Sequence, residues 1–172
     1  MIINIKLYKT MRMKIFTLII GLMTALGAAA QNSGTTGPLN WSYDLGTKTL
    51  SITGSGDMPD FEGINQPWNA FQTQIETVTI GAGVTSVGQN AFLGCTALKS
   101  VTLPAGLKEI EKNAFGGCET MTSINLPEGL KTIGEGAFTA CFALSDLTIP
   151  KSVNTIGENA FYQCGSLTNL TI

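Results

Sequence analysis

The sequence predicts a repeat solenoid, and three observations carry that expectation. The first is a phrase written four times: "AFLGCTALKSVTLP" from Ala91, "AFGGCETMTSINLP" from Ala114, "AFTACFALSDLTIP" from Ala137 and "AFYQCGSLTNLTI" from Ala160. The second is a fixed period. Phe92, Phe115, Phe138 and Phe161 are 23 residues apart, and so are Cys95, Cys118, Cys141 and Cys164. Leu98, Met121, Leu144 and Leu167 keep the same step, as do Val101, Ile124, Leu147 and Leu170. The third is the L-x-x-L-x-L spacing of the apolar positions, which at a period of roughly 20–29 residues marks a leucine-rich repeat. A degraded earlier copy supplies Ile75, Val78 and Ile80 at the same phase, making five strand segments.

Each part of one coil follows from its residues. In "KSVTLP", Val101 and Leu103 alternate with Ser100 and Thr102, the period of a half-buried strand. Stacked coils would align these strands as a parallel β ladder. Pro104 has no N–H for a ladder, so the strand ends there. Leu107 and Ile110 of "GLKEI" return to the core after a turn. "NAFLGC" reads as a short helical turn, with Asn90, Asn113, Gly136 and Asn159 at its N-cap. A single coil cannot offset an ordering cost of about 1.5 kcal/mol per residue, so the coils must stack.

The ends of such a stack need covers. In "LNWSYDLGTKTLSITGSG", Leu39, Trp41 and Tyr43 alternate, a turn falls at Asp44–Lys48, and Leu50 and Ile52 alternate again. That is an N-terminal β-hairpin cap. "PWNAF" at Pro67–Phe71 reads as a distorted first helical turn. The other end stops on the strand "LTNLTI". That predicts either a fragment of a longer repeat protein or an edge that self-associates.

The first 30 residues differ in kind. Arg12 and Lys14 precede the apolar run "IFTLIIGLMTALG", which ends at Ala28-Ala29-Ala30. A basic start, a short apolar core and small residues at the end describe a secretory signal peptide, residues 1–30. Met11 or Met13 makes a more usual start than Met1, which would leave residues 1–12 untranslated. Residues 31–37 are then a leader, 38–71 the capping region and 72–172 the repeats. After cleavage no membrane insertion is expected.

Cleavage removes Lys6, Lys9, Arg12 and Lys14. This leaves 6 Lys against 12 Asp and Glu, a net charge of −6. Such a chain lacks the basic footprint of a nucleic-acid binder and is repelled by anionic membranes. At 44% hydrophobic and 13% charged residues, it is not composed as a disordered chain.

These residues resemble the bacterial BspA-like leucine-rich repeat proteins, also called the Treponema pallidum type. The family's coil, I-G-x-x-A-F-x-x-C-x-x-L-x-x-V-x-L-P, is matched by "IGEGAFTACFALSDLTIP" at Ile133–Pro150. The opening "WSYDLGTKTLSITGSGDMPDF" resembles the segment that precedes the repeats in many members. The resemblance covers Pro38 to Ile172 and implies a secreted or surface-displayed protein, often of Bacteroidetes, that binds host matrix proteins or other cells.

Chemistry is sparse. There is no His, so His-based triads and His metal sites are absent from the sequence. Glu135 and Glu158 share a phase, but one that faces solvent. The four cysteines, one per coil, would stack about 4.8 Å apart. One zinc ion, with Zn–S near ~2.3 Å, could not gather them all. A disulfide between adjacent coils is within reach by spacing. In a parallel stack, however, the side chains point the same way, which favours buried free thiols behaving as small hydrophobes. No catalytic residue, cofactor or metal is expected, and the chain is not read as an enzyme.

The repeated outward positions of the strands form the candidate ligand strip. One row is Thr77, Ser100, Ser123, Asp146 and Asn169; its neighbour is Thr79, Thr102, Asn125, Thr148 and Thr171. They line what would be the concave sheet, where repeat proteins bind partners. The plainer account is that short polar side chains in register bond to one another and keep a sheet soluble. Neither row holds an aromatic residue or Arg, the usual anchors of tight interfaces. Phe142 and Tyr162 are apolar at phases held by smaller or polar residues elsewhere, as a contact patch or as local packing. The expected function is an adhesin-like extracellular module that binds a protein or glycan without chemistry. The alternative is a structural spacer whose last coil stacks on further repeats or on another copy.

Overall fold

A computed structural model describes residues 32–172, which form one compact unit. The signal peptide expected at residues 1–30 lies outside the described residues. The strands are β1 (Ser33–Thr36), β2 (Leu39–Asp44), β3 (Thr49–Asp57), β4 (Thr77–Ile80), β5 (Gly83–Val87) and β6 (Ser100–Thr102). They continue as β7 (Glu109–Ile110), β8 (Thr132–Ile133), β9 (Asp146–Thr148), β10 (Thr155–Ile156) and β11 (Asn169–Thr171). The helical content of the described residues is a single 3-10 turn at Asn69–Phe71, within the "PWNAF" segment expected to turn.

The cap forms as its alternation predicts. In β2, Leu39, Trp41 and Tyr43 are buried while Asn40, Ser42 and Asp44 face out. The Asp44 carboxylate accepts the N–H groups of Gly46 and Thr47, both at 2.8 Å, and so closes the hairpin turn. The segment expected as a leader adds a strand: β1 pairs antiparallel with β2 and buries Thr36.

β3 converts the antiparallel cap into parallel stacking, and it does so twice. Its first half, Thr49–Ile52, pairs with β4, which pairs in turn with β6. Its second half, Ser55–Asp57, pairs with β5, from which β7, β8 and β10 follow in order. The switch occurs at Gly54, whose φ of 111° suits glycine alone. A Cβ there would meet the Pro38 carbonyl oxygen at 2.9 Å. The two-residue strands in the "KEI" phase thus form a second ladder that the sequence pattern shows only as an inward return.

A third row of hydrogen bonds joins the turns. The N–H groups of Asn90, Phe92 and Gly94 donate to the carbonyls of Lys112, Ala114 and Gly116 one coil on. The same bonds recur from Asn113, Phe115 and Gly117, and again from Gly136, Phe138 and Ala140. The cap supplies this row for the first coil. There the Phe61 N–H donates to Gln89 O, Trp68 Nε1 to Ala91 O at 2.9 Å, and Gln72 Nε2 to Leu93 O. One backbone N–H and two side chains therefore satisfy the carbonyls that a preceding coil would otherwise satisfy.

The helical turn expected in "NAFLGC" is instead a run of tight turns. Asn90, Asn113 and Asn159 have φ of 58°, 52° and 56°, and Gly136 has 60°. An N-cap residue sits in the β region. Asn and Gly alternate here because both tolerate the left-handed conformation. The core is a column of rings, Trp68, Phe92, Phe115, Phe138 and Phe161, with successive centroids 5.8, 5.2, 5.5 and 5.6 Å apart. Stacked rings of this kind add to the ~1.5–3 kcal/mol that each buried side chain brings.

The strand expected around Ile124 does not form. Ser123 makes an isolated bridge to Asp146, and β9 and β11 form a separate two-stranded sheet. Among the described residues no backbone hydrogen bond joins β6 to residues 123–126. One substitution sets this segment apart. Asn125 replaces the Thr found at 102, 148 and 171, and Asn is poor in strands. The Thr120 hydroxyl in the turn before this segment donates to the Thr96 and Leu98 carbonyls at 2.9 and 3.0 Å.

Candidate functional site

The outward strip is where the alternation places it. Val78, Ile124 and Leu147 are buried, while the strip residues beside them are exposed or half-buried. In the first row Thr77 registers with Ser100, Ser123 with Asp146, and Asp146 with Asn169. In the second, Thr79 registers with Thr102 and Thr148 with Thr171, but Asn125 is in no ladder.

The strip is chemically uneven. At one end the side chains bond to each other: Ser100 Oγ donates to Thr77 Oγ1 at 3.3 Å, and Thr79 Oγ1 to Ser51 Oγ at 3.0 Å. Glu76, one residue before Thr77, bridges Lys48 at 2.5 Å and Lys99 at 2.6 Å. Hydrogen bonds from both lysines lower its carboxyl to about 2. Toward the other end, Asn169 Nδ2 donates to Asp146 Oδ1 and Ser145 Oγ to Asp146 Oδ2, both at 2.6 Å. The Ser145 hydroxyl and then the Asn169 amide hold Asp146 below the usual carboxylate range. Thr102, Ser123, Asn125, Thr148 and Thr171 make no side-chain hydrogen bond among the described residues.

Where the ladder lapses, the strip opens into a groove of about 180 Å³. Ser123, Ile124, Asn125 and Leu126 form one wall, and Asp146, Leu147 and Thr148 the other. Four strip residues are thereby brought to one place, while Thr77, Thr79, Ser100 and Thr102 lie on β4 and β6.

The strip also runs further than the repeats. Thr49 registers with Thr77 and with Asp44; Ser51 registers with Thr79 and with Ser42. The outward residues of the cap hairpin thus extend both rows. Their signal was present in the alternation of "LNWSYD", but the register that aligns an antiparallel hairpin with a parallel ladder was not.

The four cysteines are free thiols, and Cys95, Cys118 and Cys141 are buried. The Sγ of Cys118, Cys141 and Cys164 donate to the carbonyls of Phe92, Phe115 and Phe138 at 3.4, 3.2 and 3.1 Å. Burial pushes Cys95 up to about 12 and raises Cys118 well above its ordinary value. Among the described residues no group of three or more Cys, Asp or Glu is placed to hold a metal ion. No helix among them is long and apolar enough to cross a membrane.

A family model described as "BspA type Leucine rich repeat region" matches residues 67–172 in 6 copies. No curated protein matches the chain. A T. pallidum leucine-rich repeat protein is similar at 24% identity and a TM-score of 0.63, over 80% of this chain and 70% of that one. A leucine-rich repeat protein from Eubacterium ventriosum gives 24% identity and 0.63, over 81% of this chain and 42% of that one. One from Bacteroides ovatus gives 25% and 0.59, over 78% of this chain and 40% of that one. This chain therefore spans less than half the length of the last two. The first two likenesses show the solenoid fold. With the repeat model covering more than half of its residues, the chain belongs to the BspA-type leucine-rich repeat family.

Proposed function

We propose that the protein is an exported, non-catalytic binding module that takes a protein or glycan outside the cell on the outward face that carries the polar strip. One observation carries the reading. The core positions repeat with little change, while the outward face keeps a band of unbonded polar groups, Thr102, Ser123, Asn125, Thr148 and Thr171. Stacked side chains that served solubility alone would be expected to pair along the whole strip, as Thr77 and Ser100 do. Extended solenoid faces are common partner surfaces. The adhesin-like role is what the family resemblance implies.

The test is binding of purified residues 32–172 to immobilised fibronectin, fibrinogen and mucin glycans. Binding that falls when Ser100, Ser123 and Asp146 are replaced together by Ala supports the reading. Binding indifferent to every strip substitution, by well-folded variants, overturns it.

A second reading has its own observation. In the last coil Ile156 and Leu170 are 46% and 48% exposed, although Ile133 and Leu147 at the same phases are buried. That face would accept another coil of the same repeat, as a spacer or in a second copy. Sedimentation of residues 32–172 tests the second copy: a monomer at all concentrations counts against it.

A further inference from the structure

We infer that the groove between residues 123–126 and β9 is a subsite for one neutral pyranose ring of a glycan. The inference rests on the outward sheet face being the binding face, and it narrows both the place and the ligand. Place follows from the fold. This is where Ser123, Asn125 and Thr148 make no side-chain hydrogen bond among the described residues and where the chain leaves the ladder. Ile124, Asn125 and Leu126 are in no strand, so backbone polar groups as well as side chains are open to a ligand.

Size comes next. At about 180 Å³ the groove is smaller than the roughly 300–1,000 Å³ of sites for drug-sized ligands. It suits a single small ring and not a peptide segment, which would also want the aromatic or Arg anchor that the strip lacks.

Chemistry selects the ring. Sugar hydroxyls each donate and accept. The groove offers hydroxyls at Ser123 and Thr148, an amide at Asn125 that does both, and a carboxylate at Asp146 that accepts only. Half-buried Leu126 gives the C–H side of a ring an apolar edge. No Lys or Arg lines the groove, and an ionised Asp146 repels carboxylates and sulfates. The fitting ligand is therefore a neutral hexose or N-acetylhexosamine, and not a sialic or uronic acid.

The experiment is a ¹H–¹⁵N titration of residues 32–172 with four probes: methyl β-galactopyranoside, methyl α-mannopyranoside, methyl β-N-acetylglucosaminide and sialic acid. N-acetyl-lysine amide serves as a stand-in for a basic peptide side chain. The expected result is saturable movement of the amides of residues 124–126 and 147–148 with at least one neutral sugar. Its Kd should be on the order of 1 mM, as a ligand of this size allows. Asp146→Asn should weaken it about tenfold through loss of a charged acceptor. Asn125→Ala should weaken it too, and Thr77→Val, on β4, should not. The inference is overturned if no neutral sugar moves those amides, or if sialic acid or the lysine probe moves them more. Should the groove stay silent while the immobilised-ligand assay still responds to the strip, the pyranose subsite fails and the broader reading stands. Should both fail, the sheet face is not a binding face.

Discussion

At Ala140 the chain adopts a φ of 54°, where the two preceding coils place Gly94 and Gly117 at 72° and 70°. A left-handed Ala carries about 1–2 kcal/mol of steric cost that Gly does not. Ala140→Gly should therefore stabilise the protein by about 1 kcal/mol, after allowing for the added freedom of the unfolded chain. Gly117→Ala should destabilise it by at least as much; urea titrations of both variants check the pair. The ion pairs at Glu76 make a prediction in pH. Its carboxyl falls from an ordinary 4.5 to about 2 on folding, so the unfolded chain holds the proton more tightly. The contribution is complete above about pH 4.5 and is lost as pH falls toward 2. Glu76→Gln should flatten the drop in urea midpoint across that window, and an unchanged slope would contradict the assignment. These residue-level features were partly legible. The period picked out Asn90, Asn113, Gly136 and Asn159 as one position, but Asn and Gly serve both an N-cap and a left-handed turn. Only the backbone angle separates the two.

Among the elements, the segment 123–126 is the informative failure. Its sequence, "SINL", alternates as well as "SVTL" does, yet it forms no strand. Alternation reports which side faces the core, and that held: Ile124 is buried. Pairing depends also on which residues the strand carries. Here Asn125 stands where the paired strands carry Thr. Asn125→Thr should restore the residue of β6, β9 and β11 and extend the ladder. We expect a gain of up to about 1 kcal/mol and slower amide exchange at 124–126. The groove would narrow, so sugar-induced shifts should shrink as protection rises. The second ladder was hidden for a different reason. Two-residue strands such as β7 and β8 are too short to display a period of two. Their pairing is set by the coil length and not by their own residues.

Over the whole molecule, order is imposed from the cap. The hairpin's register fixes β3, β3 starts both ladders, and Phe61, Trp68 and Gln72 start the third row of hydrogen bonds. The core and the strip could be read from spacing because they are periodic. The means of starting the stack could not, since it occurs once and uses the Trp68 and Gln72 side chains at two places where every later coil uses backbone. Every coil is tied to its neighbours along the second ladder and the row of turn hydrogen bonds, and some along the first ladder as well, which favours unfolding as a linked series. The placement of tryptophan makes that linkage observable. Both tryptophans, Trp41 and Trp68, are buried in the cap, and no coil contains another. Tryptophan emission therefore reports the cap alone, while far-ultraviolet circular dichroism reports the whole stack. Coincident melting curves would mean that the cap and the coils lose their order together. An emission change that comes early or late would show at which end the molecule begins to come apart, without any label being attached.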